Sequence, residues 1–174
     1  MTRRHVLDAT PETIHWGHFD ASLPPVIKIS SGDVVRIASV NGVADILEHC
    51  PFELLPQHHA ILERCKPDKG RHIITGPVAV EGARPGDVLE VEIGRVDFLV
   101  PWGFNATRPG LGALPWRFPA WRAEFYGIDT QTRLVQLPFG PELALRPFFG
   151  IMGVAPPPAW GRVSAMEPRA NGGN

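Results

Sequence analysis

Ser31-Gly32-Asp33-Val34-Val35-Arg36-Ile37 places a tight turn directly before a β-branched run, and Pro85-Gly86-Asp87-Val88-Leu89-Glu90-Val91 repeats the arrangement 54 residues later. Glycine tolerates the left-handed backbone of a turn, and aspartate can cap it with its own side chain. The residues that follow favour a pleated, half-buried surface. Both stretches therefore read as turns feeding strands of one sheet system; two copies are too few for a repeat architecture.

Working outward, Thr13 to Trp16, Val26 to Ile29 and Gly76 to Val80 read as further short strands. Val88 to Val100 is the longest alternating run, with Glu90, Glu92 and Arg95 among its polar positions. The helical signal is strongest in Ala44–Cys65, where Leu55, His59 and either Leu62 or Glu63 share a face and Pro51 and Pro56 limit the length. One or two short helices are expected there. From Pro101 to Gly127 the chain carries Trp102, Trp116 and Trp121 among closely spaced prolines and glycines. That stretch reads as a long aromatic-pinned loop. Two weak strands follow from Leu134.

Composition agrees. The 174 residues include 18 glycines and 19 prolines, and 44% are hydrophobic. The first figures exclude a helical bundle, and the last leaves enough apolar surface for a core. The fold class is therefore mainly β, and 174 residues give room for one domain of ordinary size or two small ones, with no internal boundary marked. Seventeen basic against eighteen acidic residues, without a basic stripe, exclude a nucleic-acid binder. Phe148 to Trp160 is too short and too interrupted to span a bilayer, so no membrane segment is expected. Met1-Thr2-Arg3-Arg4-His5 leads into no secretory apolar stretch, and a cytoplasmic protein is the default.

Seven histidines are the chemical surplus. His15 and His18 lie three residues apart with Asp20 nearby; His49, His58 and His59 share a segment with Cys50 and Cys65; His72 precedes Gly76-Pro77. Histidines and carboxylates are the ligands of hydrolytic zinc sites. No finger spacing is present, and Cys50 and Cys65 read as inert thiols. The serines lack a nucleophile elbow, and no phosphate-binding glycine loop occurs. The residues alone support a β protein with a possible metal-dependent chemistry.

Five stretches in order resemble the acetamidase/formamidase family. They are His15-Trp16-Gly17 with Phe19-Asp20; His72-Ile73-Ile74-Thr75-Gly76-Pro77-Val78 through Gly82-Ala83-Arg84-Pro85-Gly86-Asp87; Trp102-Gly103-Phe104-Asn105; Arg146-Pro147-Phe148-Phe149-Gly150-Ile151-Met152-Gly153; and Pro168-Arg169-Ala170-Asn171-Gly172-Gly173-Asn174. The resemblance implies a sandwich- or barrel-like β fold with long aromatic-rich loops. The activity it implies is hydrolysis of short linear amides such as formamide or acetamide, with a divalent metal, zinc first, as cofactor.

It further implies His72 and Asp20 as metal ligands, and Trp16, Trp102, Asn105, Asn171 and Asn174 as substrate-binding residues. Family members continue past Asn-Gly-Gly-Asn, so the chain reads as the N-terminal half of such an enzyme. Its expected partners are a C-terminal half chain or further copies of itself, and Phe148, Phe149, Ile151 and Met152 are expected to be covered by that partner. Arg84 stands where glutamate is usual in the family, and His18 where an aromatic residue is common. The other functional class is a noncatalytic β-sandwich binding protein derived from the family.

Overall fold

The Asp33 carboxylate accepts hydrogen bonds from the backbone N–H of Arg3 and of Ser30 and pairs with His5 Nε2 at 2.9 Å. One turn side chain thereby fastens two chain segments. The computed structural model describes residues 2–169. In chain order it forms strands β1 (Arg4–Leu7), β2 (Ile14–Trp16), β3 (His18–Phe19), β4 (Ile27–Ile29) and β5 (Val34–Ile37), then helices α1 (Ala44–Leu47) and α2 (Pro56–Arg64). Strands β6 (Ile73–Thr75), β7 (Val78–Val80), β8 (Trp102–Thr107), β9 (Arg122–Asp129), β10 (Leu134–Gln136), β11 (Glu142–Ala144) and β12 (Val163–Ser164) follow. Strand residues far outnumber helical ones, so the fold is mainly β, and both helices lie inside the expected Ala44–Cys65 window.

The chain divides into two compact units. The first takes the chain up to residue 42, residues 56–94 and the chain from 149 onward. It pairs β1 with β5 and β4 with β7 in parallel, and β2 with β6 and β3 with β12 antiparallel. Leu7, Trp16, Phe19, Ile61 and Ala165 are buried in it. Phe19 and Ala165 form a cluster against which Ile74, Ile151 and Val163 pack. Burying such a side chain contributes about 1.5–3 kcal/mol.

The second unit, residues 43–55 and 95–148, carries α1 and an antiparallel sheet in the order β11-β10-β9-β8. Its buried apolar residues include Ile46, Leu47, Trp102 and Val135.

Three readings change. Residues 88–100 form no strand, and Val88, Leu89, Val91 and Ile93 are exposed: alternation prepares a strand, but a strand exists only where a neighbour completes its hydrogen bonds. The supposed loop at 101–127 begins and ends in β8 and β9, with Phe104 opposite Phe125 across the pair. The irregular part is residues 108–121, which hold Pro109, Pro115 and Pro119 with Gly110 and Gly112. In α2 the buried side chains are His58 and Ile61, and His59 is exposed. Pro56 occupies the first helical position, where its missing N–H costs nothing, and the helix turns one residue away from the expected face. Phe148, Phe149 and Met152 are exposed, whereas Ile151 packs on the first unit's own core.

Candidate functional site

Gly17 creates the side-chain cluster of the first unit. It separates β2 from β3 at φ +84°, and a Cβ there would lie 2.4 Å from the backbone N and O of Gly70. Its N–H donates to the His72 carbonyl at 2.8 Å, and its own carbonyl accepts from the Ala165 N–H at 2.9 Å. In an unbroken strand, residues 15 and 18 would point to opposite faces. The interruption at Gly17 instead brings their rings together, with centroids 5.4 Å apart and planes tilted by 55°.

His18 is buried. Its Nδ1 lies 3.1 Å from the Trp16 carbonyl oxygen and 3.4 Å from Asp68 Oδ2. Both neighbours are acceptors, so Nδ1 carries hydrogen, and in the neutral ring Nε2 presents its lone pair. Nε2 is buried and meets no hydrogen-bond partner among the described residues. A buried polar atom left this way calls for a ligand, water or ion. His15 follows the same pattern: Nδ1 lies 3.3 Å from the Gly76 carbonyl oxygen. Burial lowers the His15 pKa below its ordinary value, His18 adds to that, and the Gly76 carbonyl opposes it.

Arg162 organises the acids. Its Nη1 donates to Asp68 Oδ2 at 2.8 Å, and its Nε lies 3.5 Å from Asp20 Oδ2. Asp20 Oδ1 also accepts from the Ser22 N–H and hydroxyl at 2.8 and 2.7 Å. These Ser22 bonds, reinforced by Arg162, hold the Asp20 carboxyl below the usual range.

The residues expected at the site are distributed as follows. Trp16 is buried beside the histidines in sequence, and its indole N–H donates to the Arg71 carbonyl at 3.0 Å. His72 is exposed just before β6 and contributes its carbonyl to Gly17. Asp20 is engaged by Ser22 and Arg162. Trp102 and Asn105 belong to β8 of the second unit. There Trp102 donates to the Glu53 carbonyl at 3.3 Å and stacks on Phe52. Asn105 lines a cavity of about 210 Å³ with Thr107, Arg108 and Leu111. Asn171 and Asn174 lie outside the described residues.

The donor set for a metal is incomplete. Among the described residues no three His, Cys, Asp or Glu side chains gather in a way that could hold an ion. His15 and His18 each set Nδ1 against an oxygen acceptor, and the Nε2 of His18 is bare; among the described residues no third donor joins them. Cys50 and Cys65 are free thiols, and burial raises the Cys65 pKa.

The family model described as acetamidase/formamidase matches residues 8–163. The chain belongs to the acetamidase/formamidase family. Its fold is similar to a protein of Thermoanaerobacter tengcongensis described as a predicted acetamidase/formamidase, with a TM-score of 0.73 and 24% identity, over 94% of this chain and 49% of that one. It is also similar to an acetamidase of Bacillus halodurans, with a TM-score of 0.60 and 24% identity, over 91% and 48%. A formamidase of Methylophilus methylotrophus is 39% identical over 74 residues, covering 37% of this chain and 18% of that protein. The chain thus spans about half the length of the solved acetamidase/formamidase structures.

Within this acetamidase/formamidase chain, sequence reasoning missed Asp68 and Arg162. No local signal marks either, because each reaches the histidines through contacts tens of residues apart in sequence. The His15-x-x-His18 spacing was visible. What it lacked was the knowledge that Gly17 reverses the alternation.

No helix among the described residues is long and apolar enough to cross a membrane.

Proposed function

We propose that this chain supplies the histidine-bearing part of a hydrolase that converts short linear amides, formamide or acetamide, to the carboxylate and ammonia. Family membership over residues 8–163 supports amide hydrolysis. The observation that carries the mechanism is the bare, buried Nε2 of His18 with Asp68 behind Nδ1.

An amide resists attack because resonance stabilises its carbonyl, so the nucleophilic water must be relieved of a proton as it adds. His18 Nε2 accepts that proton, and the resulting imidazolium is stabilised by the Trp16 carbonyl and the Asp68 carboxylate at Nδ1–H. The same Nε2–H then protonates the departing nitrogen, the carbon–nitrogen bond breaks, and ammonia leaves with the carboxylic acid as co-product. Positioned proton transfer of this kind is worth about 10²–10⁴ in rate. Arg162 holds Asp68 in place.

A divalent metal, zinc first, belongs to this reading through the family resemblance, with His72 and Asp20 the residues it implies as ligands. When bound, such an ion supplies a water that ionises near neutral pH and polarises the carbonyl. The described residues do not complete its site. Trp16, Trp102, Asn105, Asn171 and Asn174 are the substrate contacts that the family resemblance implies.

The test is ammonia release from formamide and acetamide by the longest natural polypeptide that contains this chain, with and without chelator. His18→Gln should lower kcat by about 10²–10⁴ while the fold, read by circular dichroism, is retained. Turnover unchanged in His18→Gln, or no turnover of any short amide, refutes the mechanism or the reading respectively.

A further inference from the structure

The two Gly-Asp turns have opposite fates. After the first, Asp33 accepts from the Ser30 N–H and β5 pairs along its whole length with β1. After the second, Asp87 accepts from the Arg84 N–H at 2.8 Å, the same local device. Yet residues 88–93 form no strand and, among the described residues, none of their backbone groups bonds to another backbone group. Val88 is 94% exposed, and Leu89, Val91 and Ile93 are each about half exposed. Leu89, Val91 and Ile93 fall on one face and Glu90 and Glu92 on the other. The segment contains no proline to blunt it, and Glu90 and Glu92 are its charges against a chance partner.

We infer that residues 88–93 are a strand waiting for its neighbour. The neighbour is a β-strand of the polypeptide that supplies the rest of the acetamidase/formamidase fold, with cationic side chains opposite Glu90 and Glu92. Two observations choose this occupant. About half of each solved relative lies outside the region this chain matches, so the fold continues beyond what this chain provides. A second copy is disfavoured by charge: the antiparallel register that sets Leu89 on Ile93 and Val91 on Val91 also sets Glu90 on Glu92 twice. Like charges directly opposed destabilise a strand pair. The inference rests on the fold and not on the amide chemistry.

Amide hydrogen exchange and sedimentation test it without any activity readout. In the chain alone, residues 88–93 should exchange like an unstructured peptide. In the longest natural polypeptide that contains this chain, that exchange should be at least tenfold slower. Glu90→Lys removes both like-charge oppositions and should let the chain pair with itself, lowering its dimer dissociation constant at least tenfold; Glu90→Lys with Val91→Pro should abolish that gain. Slow exchange and dimerisation of the unaltered chain would give the edge to a second copy and overturn the inference. Unchanged exchange in that longer polypeptide, or unchanged association of Glu90→Lys, overturns it as well.

Discussion

Gly17→Ala separates two costs that a glycine in a turn usually confounds. Any L residue at φ +84° loses about 1–2 kcal/mol against the glycine it replaces. At Gly17 the new methyl would also meet the Gly70 backbone at 2.4 Å, a distance that only movement of main chain can relieve. Overpacking of this sort adds about 1–3 kcal/mol, so the total is about 2–5 kcal/mol. Gly32 is the control, because its φ is +83° and nothing lies within 4 Å of its would-be Cβ. Gly32→Ala should therefore cost about 1–2 kcal/mol alone. Urea denaturation of the two variants gives the difference directly, and it should be at least about 1 kcal/mol. Because Gly17 sets the approach of His15 and His18, Gly17→Ala should also shift the imidazole proton resonances of both rings, and Gly32→Ala should not. Equal losses in the two variants would refute the close-approach argument.

Asp33 offers a pH test. Hydrogen bonds from Ser30, Arg3 and His5 hold its pKa down to about 2, so the folded chain releases this proton more readily than the unfolded one. The stability it contributes is complete above the ordinary carboxylate value and is lost as pH falls towards 2. Asp33→Asn should flatten the acid limb of a stability–pH curve in that window; an unaltered limb refutes the assignment. His15 titrates in the opposite chemical sense with the same consequence: burial lowers its pKa, the unfolded chain binds the proton more tightly, and stability falls as pH drops below the ordinary histidine value of about 6.5. Proton resonances of its ring should show a midpoint under that value, and a midpoint at or above it contradicts the burial. In the second unit, Trp102→Ala should cost about 3–5 kcal/mol by thermal denaturation, since the ring is buried, stacked on Phe52 and bonded to Glu53. A loss below 1 kcal/mol would place it outside that core.

Much of this architecture is local information. The turn at Gly32-Asp33, the strands at Ile14–Trp16, Ile27–Ile29 and Val78–Val80, and the helical window between Ala44 and Cys65 follow from residues adjacent in sequence. Turn chemistry, proline placement and alternation act over a few residues, so a single sequence exposes them. β8 and β9 were obscured because glycines and prolines crowd the connection between them, and because Gly103 and Gly127 sit inside the strands themselves. Their pairing is settled by register, with Phe104 on Phe125.

The site divides along the same line. That histidines would matter was legible from their number and from the His15-x-x-His18 spacing. Which nitrogen is bare was not: it depends on the Trp16 carbonyl and Asp68 both facing His18 Nδ1, and on Arg162 holding Asp68. By itself the sequence determined a mainly β chain, its turns, and a histidine-rich chemistry, because each is a property of neighbours along the chain. Tertiary structure alone decided that Gly17 turns His15 and His18 together against the Gly70 backbone, and that the run at Val88–Ile93 stays unpaired while its twin at Val34–Ile37 is a strand. A hydrogen-bonded partner is contributed by a different part of the polypeptide, and no local pattern can state whether it arrives.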